Sequence, residues 1–174
     1  MNKSFSIWDY GIHGMYFFIY GFFKYFPSPV GDIFRKLISK PFIKKMGKVR
    51  IYEGVTLWYP YRIEIGSHVT INEWCYINGY GTVKIGDNVR IGNRTTILSS
   101  DHSWEEKGKA IYKQPIKALP TVIEEDVFIG CSVIVRGGVR IGRHSVIGAG
   151  TVVTKDVPEN SIIAGCPGRV IGSI

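Results

Sequence analysis

The stretch Thr121–Val153, TVIEEDVFIGCSVIVRGGVRIGRHSVIGAGTVV, carries a branched aliphatic at every sixth residue: Ile123, Ile129, Val135, Ile141, Ile147 and Val153. A period of six fits neither the 3.6 of an amphipathic helix nor the alternation of a half-buried strand, and is the mark of a repeat architecture. Gly follows the aliphatic at Gly130, Gly142 and Gly148, which reads as a tight corner whose backbone angles a β-carbon would forbid. Four residues after each aliphatic stands a small or β-branched residue, Val127, Val133, Val139, Ser145 or Thr151, suited to a second, tighter inward position. Three such hexads close one triangular coil, 18 residues from Ile123 to Ile141. Its strands bond to the coils above and below, so the aliphatics stack into a continuous core.

The same phase runs upstream through Ile65, Ile71 and Ile77, then Ile85, Ile91 and Ile97, with Val69, Cys75, Val89 and Thr95 in the second slot and Gly66, Gly86 and Gly92 at corners. The step from Ile65 to Ile85 is 20 residues, which predicts a two-residue bulge near Val83 and Lys84. An antiparallel sandwich also uses Val/Ile-rich strands with Gly turns. A six-residue phase held this long argues against it. The predicted fold is mainly β, a parallel β-solenoid over residues 49–174, preceded by a helical extension over residues 1–48.

The phase breaks once, between about Asp101 and Pro120, in DHSWEEKGKAIYKQPIKALP. An excursion of this length inside a compact array is either a tolerated surface insertion or a functional loop. Upstream of the solenoid, Ile7–Phe26 is dense in aromatics. It is followed by Pro27-Ser28-Pro29 and by a stretch from Ile33 to Tyr52 with seven Lys/Arg and no acid. The apolar run Met15–Phe23 is too short to cross a bilayer, which needs roughly 20 residues. Two readings are open: an interfacial segment with its basic flank toward anionic lipid, or a helix capping the solenoid or a neighbouring subunit.

The net charge of +8 favours an anionic partner. Nucleic acid is not expected, because the basic residues cluster before the solenoid and do not interleave with aromatics on a recognised motif. Cys75, Cys131 and Cys166 are odd in number and lack the Cys/His spacing of a zinc site, so free thiols in a reducing cytoplasm and no metal are expected. The N-terminal apolar stretch is aromatic and lacks a small-residue cleavage site, which argues against a secretory signal. The expected location is the cytoplasm or the inner face of a membrane.

The segments IGDNVRIG, DHSWEE, VFIGCSVIVRGGVRIGRHSVIGAGTVVTKDVP and AGCPGRVI resemble the hexapeptide-repeat acyltransferases, and among them the maltose, galactoside and polysaccharide O-acetyltransferases. The resemblance covers about residues 47–172. It implies a left-handed β-helix, against the usual right-handed crossover, and a homotrimer that binds acetyl-CoA between subunits. From its residues alone, His102 is either a solvated loop side chain or a general base. SSDHSW resembles the segment carrying the family's catalytic histidine, and His102 falls on it. Asn72 aligns with a family asparagine that contacts an acceptor sugar; alternatively it is a corner residue tolerating left-handed angles. Trp74, Tyr80 and Trp104 supply aromatic faces suited to sugar C–H surfaces. Cys131, Ala149, Thr154, Lys155 and Arg169 match family positions that contact CoA, where Lys155 and Arg169 suit its phosphates. Phe128, Gly172 and the missing acidic N-terminal motif depart from the family pattern. Backbone N–H groups around Gly130 and Cys131 are candidate oxyanion donors by position.

The expected activity is therefore acetyl transfer from acetyl-CoA to a carbohydrate hydroxyl, on a cell-surface polysaccharide or its precursor, directly and without a covalent acyl-enzyme. N-acetylation of an amino sugar or drug, a zinc-binding solenoid and a catalytically silent scaffold are the competing readings.

Overall fold

The structure is a computed structural model and describes residues 7–174. The six-residue phase becomes three parallel sheets that form the faces of a triangular coil. Face one stacks Lys45–Met46, Ile63–Ile65, Val83–Ile85, Thr121–Ile123 and Arg140–Ile141. Face two stacks Val49–Ile51, Val69–Ile71, Arg90–Ile91, Phe128–Ile129, Val146–Ile147 and Ser161–Ala164, with Arg169–Ser173 added antiparallel. Face three stacks Thr56–Trp58, Tyr76–Asn78, Thr96–Ile97, Ile134–Val135 and Val152–Val153.

The parallel register puts like side chains over like. On face one Ile65, Ile85, Ile123 and Ile141 form a column. On face two the column is Ile51, Ile71, Ile91, Ile129, Ile147 and Ile163. All of these are buried. Strands of two or three residues have little hydrogen bonding of their own, so the columns, at about 1.5–3 kcal/mol for each buried aliphatic, stabilise the coil. The second inward slot is also buried, and its polar members are satisfied: Thr95 Oγ1 donates to Gly130 O at 2.9 Å and Ser145 Oγ to Pro158 O at 3.0 Å.

The corners differ from the expectation in their chemistry. Gly66, Gly86, Gly92, Gly130, Gly142 and Gly148 do not have positive φ. Left-handed angles fall instead on His68, Trp74, Asn88, Arg94, Asp126, Ser132 and His144, with φ between 53° and 62°. The glycines are needed because coils touch through them. A Cβ on Gly92 would lie 2.5 Å from Gly130 C and 2.6 Å from Cys131 N, a collision with backbone that cannot yield. The two extra residues in the early coils do not form a bulge near Val83 and Lys84, which pair in register with Ile63 and Glu64 below and Thr121 and Val122 above. They lie in the preceding corner, Gly79 to Thr82, where the Thr82 N–H bonds Gly79 O at 3.0 Å and Thr82 has φ 86°.

The excursion leaves face three after Ile97. Ser100–His102 and Ile116–Ala118 form an antiparallel hairpin stem, and the chain returns at Thr121 to pair with Val83. The ladder continues beneath the loop without a gap.

Two helices, α1 (Ile7–Phe23) and α2 (Val30–Ser39), cover the start of the solenoid. Tyr16 and Tyr20 on α1 are fully buried, and Tyr20 Oη donates to Val55 O at 3.1 Å. Fully buried Arg35 on α2 donates to Ile51 O at 3.0 Å, to Phe26 O at 2.7 Å and to Asp32 at 2.6 Å. The inner side of the helical pair thus packs on the first coil, as one of the two readings of this segment had it. Among the described residues, no helix is long and apolar enough to cross a membrane.

Candidate active site

The residues singled out in the sequence fall on two edges of the triangle. Tyr80, His102, Trp104, Thr154 and Lys155 lie on the edge between faces three and one, after Asn78, Ile97 and Val153. Asn72, Trp74, Cys131 and Ala149 lie on the edge between faces two and three, after Ile71, Ile129 and Ile147. A single chain does not bring the two groups together: the full width of face three separates them. Along each edge, however, the order is the same. The positions matched to the acceptor stand at the early coils and those matched to CoA at the late coils, with successive coils about 4.8 Å apart.

On the first edge, His102 ends the strand Ser100–His102 and is exposed. Asp101 organises its backbone: Asp101 Oδ1 accepts the His102 N–H at 2.9 Å, and Asp101 Oδ2 accepts from Arg136 Nη2 at 3.1 Å. Arg136 follows Val135 in the same phase in which Thr154 follows Val153, which puts it between His102 and the late coils. Sequence reasoning missed it, although its phase marks it as an edge residue. Trp104 is half exposed, with the Lys117 ammonium 5.9 Å from its ring centre. Lys117 also hydrogen-bonds Glu105 and holds that carboxylate below its usual range. Tyr80 packs edge-on to Tyr59, with ring centres 5.9 Å apart, and its carbonyl accepts from Arg62 at 2.7 Å.

On the second edge, the Asn72 N–H continues the ladder to Ile91 O at 3.0 Å, in the column that Gly92, Gly130 and Gly148 occupy in later coils. Asn72 does not adopt left-handed angles; Trp74 does. Backbone strain therefore does not account for an asparagine at position 72. The Trp74 indole lies over Gly54, where a Cβ would meet the ring at 2.6 Å, and beside Tyr25 at 5.6 Å. The Gly130 N–H is committed to Ile147 O at 2.8 Å and is no candidate for an oxyanion. Cys131 and Ala149 are exposed on consecutive coils, linked by the bond from Gly150 N–H to Cys131 O at 2.9 Å. Cys75, by contrast, is buried, its Sγ 3.1 Å from Gly92 O, and burial pushes its thiol up to about 12.

Thr154, Lys155 and Arg169 do meet. They line one cavity of about 250 Å³, closed by Val153, Ile163 and Gly168, because Gly168 N–H bonds Val152 O at 2.8 Å and folds the C-terminal turn over face three. Asp156 also borders it, but its Oδ1 accepts the Arg140 N–H at 2.8 Å. Lys155 makes no ion pair among the described residues and Arg169 bonds only its neighbour's carbonyl, Gly168 O, at 3.0 Å, so two cations there are available to an anion. Among the described residues no group of three His, Cys, Asp or Glu is arranged to hold a metal ion.

Residues 120–155 match the family described as bacterial transferase hexapeptide (six repeats). Galactoside O-acetyltransferase of Escherichia coli is 40% identical over 119 residues, 67% of this chain and 56% of that protein. The chain thus spans little more than half the length of the curated relatives it matches. Among solved structures, maltose O-acetyltransferase from Clostridium difficile superposes with a TM-score of 0.88 at 26% identity, over 97% of this chain and 89% of that one. A hexapeptide-repeat acetyltransferase from Vibrio cholerae, solved with acetyl-CoA, superposes with a TM-score of 0.85 at 26% identity, over 97% and 90%. With its stacked hexads and its excursion loop, this chain carries the bacterial transferase hexapeptide repeat and shares the left-handed β-helix fold of these acetyltransferases.

Proposed function

We propose that the protein is an acetyl-CoA-dependent O-acetyltransferase that acts on a carbohydrate, a cell-surface polysaccharide or its precursor. The observation that carries this reading is the order along the edge between faces three and one: aromatic Tyr80, then His102 with Trp104 beyond it on the excursion, then the cationic cavity of Thr154, Lys155 and Arg169. A base thus stands between a surface suited to sugar faces and one suited to phosphates.

In the reaction, neutral His102 accepts the acceptor hydroxyl proton as the oxygen attacks the thioester carbonyl. The tetrahedral intermediate collapses with cleavage of the C–S bond. The imidazolium then returns its proton to the leaving CoA thiolate, giving acetyl ester and free CoA. No acyl-enzyme is needed: Cys75 is a buried thiol held protonated, with its Sγ 3.1 Å from Gly92 O. Lys155 and Arg169 would hold CoA phosphates, with Cys131, Ala149 and Thr154 along its pantetheine arm.

The two-edge arrangement supports a homotrimer. Each chain has one edge with His102 and another with Asn72, Trp74, Cys131 and Ala149. A threefold ring sets the first edge of each subunit against the second edge of its neighbour and completes three sites. Release of CoA thiol from acetyl-CoA over a panel of sugars, glycans and amino sugars tests the reading. A carbohydrate hydroxyl acceptor should support release, and His102→Ala should lower it about 10²–10⁴-fold. Retained activity in that variant would remove His102 as the base, and acetylation of amines alone would overturn the O-acetyl assignment.

A further inference from the structure

The inner side of α1 and α2 is accounted for by the solenoid; the outer side is not. Ile7, Trp8, Phe18 and Phe22 of α1 are each at least 70% exposed, and Ile33 and Leu37 of α2 about 60% exposed. The exposed strip of α1 contains no charged side chain: its one acid, Asp9, is half-buried, and the intervening exposed residues include Gly11, Gly14 and Gly21. The two helices are joined by an aromatic cluster, with Phe23 stacked on Phe34 at 4.9 Å and Phe26 against Phe34 at 6.1 Å, so that their apolar surfaces are continuous. Monomeric proteins rarely expose an apolar patch above a few hundred Å² without a partner for it.

The charge around this patch identifies the partner. Residues 7–52 contain eight Lys/Arg and two acids, Asp9 and Asp32, and Asp32 is already neutralised by Arg35 at 2.6 Å. Beside α2, a groove of about 720 Å³ runs between the helix and face two, bordered by Lys36, Lys48, Arg50, His68 and Arg90. A second copy of this chain on the patch would set these cations against each other. A surface that is apolar within and anionic at its rim complements them, and that is the chemistry of an anionic lipid bilayer. At 17 residues α1 is about 26 Å long. A helix with its inner face held on the solenoid can lie in the interface, with Trp8, Tyr10 and Tyr25 at headgroup depth, but not cross it.

We propose that the outer face of α1 and α2 docks the protein on an anionic membrane surface, with the apolar strip inserted at the headgroup boundary and the basic groove beside α2 receiving lipid phosphates. This surface meets the second edge where Tyr25 lies beside Trp74, but Phe18, Phe22, Lys36 and Lys48, which the test changes, are on neither edge, so the proposal stands or falls independently of the chemistry.

The test uses the full chain with vesicles of phosphatidylcholine alone and with phosphatidylglycerol added. Wild type should sediment with the mixed vesicles and much less with the neutral ones, with a blue shift of tryptophan emission that Trp8→Phe removes. Phe18→Glu with Phe22→Glu should abolish binding, and Lys36→Glu with Lys48→Glu should weaken it about thirtyfold or more, since each cation near the surface contributes about 1 kcal/mol. Phe18 and Phe22 are exposed on α1, Lys48 is exposed in a corner and Lys36 is half-buried at the groove, and unchanged circular dichroism and CoA binding would certify the fold. Two results overturn the proposal: wild type that stays in solution with anionic vesicles, or Phe18→Glu with Phe22→Glu variants that bind vesicles normally but split a larger assembly in sedimentation velocity. The second result would make the patch a contact between copies.

Discussion

The guanidinium of Arg35 donates to the carbonyl of Ile51 at 3.0 Å, and this bond ties the second helix to the first strand of face two. Arg35 is fully buried and also holds Phe26 O, Ser28 and Asp32. Arg35→Met would leave these acceptors, one of them a carboxylate, without a donor. Breaking a buried charged pair costs about 3–5 kcal/mol. The expected outcome is early proteolysis between residues 24 and 44 and a lower thermal midpoint, with the hexad coils still folded by circular dichroism.

Mixing subunits reads whether the two edges cooperate. His102→Ala and Asn72→Ala should each be nearly inactive alone. When the two variants are unfolded together and refolded at equal ratio, about one quarter of the shared sites regain both intact edges. Recovery of activity toward that level checks the arrangement, and no recovery would mean that each chain builds its site alone.

Glycines of opposite kinds should respond oppositely to alanine. At Gly92 a Cβ runs into Gly130 and Cys131 backbone, so Gly92→Ala should cost at least the ~1–3 kcal/mol of an overpacked core. At Gly14, inside α1, a Cβ meets nothing within 4 Å, and Gly14→Ala should stabilise by about 0.5–1 kcal/mol through helix propensity. Urea titration of both variants measures the two signs.

His13 makes the docking of α1 sensitive to acid. Its ring sits among Phe17, Trp58 and Tyr59, with centres 4.5–4.8 Å away; neither ring nitrogen has a hydrogen-bond partner among the described residues, and burial pushes its pKa down. The unfolded chain takes up a proton near the ordinary imidazole value, about 6.5, while the folded chain resists it. Stability is therefore complete above that value and declines as pH falls from it toward the lower folded one. Thermal melts across this window should show the decline in wild type and a flatter profile in His13→Phe.

The cysteines should label in two classes. Cys131 and Cys166 are exposed and should react with a maleimide in the native protein. Cys75, buried with its thiol pushed up to about 12, should react only after denaturation. Mass spectrometry of native and unfolded samples distinguishes them, and labelling of Cys131 should fall when CoA is bound.

How far the sequence could be read depended on how locally each feature is encoded. The columns from Ile65 to Val153 were legible because a six-residue phase survives in the chain order. Ile51 and Leu57, equally buried members of the first coil, precede the hexads counted from Ile65 and are set off from them by the turn Pro60–Arg62. The expansion before Ile85 was visible as a number but its place was not, since only the pairing of Val83 with Ile63 shows that the slack is taken up at Gly79 to Thr82. Corner glycines were identified by position and misread in cause: contact between neighbouring coils is a tertiary fact, whereas positive φ on His68 or Trp74 is masked by side chains that look unsuited to it. His102, Thr154 and Arg169 were singled out by resemblance. That His102 and Asn72 lie on different edges follows only from the triangular closure, as does the place of Arg136 beside Asp101.

The hairpin stem from Ser100 to Ala118 leaves and rejoins the solenoid at one corner, while Thr121 pairs with Val83 as though nothing had been inserted. The excursion is thereby insulated from the folding of the coils: its length and side chains can drift over generations without a register shift being transmitted to the core. On the proposed reading, the segment that carries Trp104 and the end of the His102 strand could be rewritten for another acceptor while the coils of Thr154, Lys155 and Arg169 keep their register.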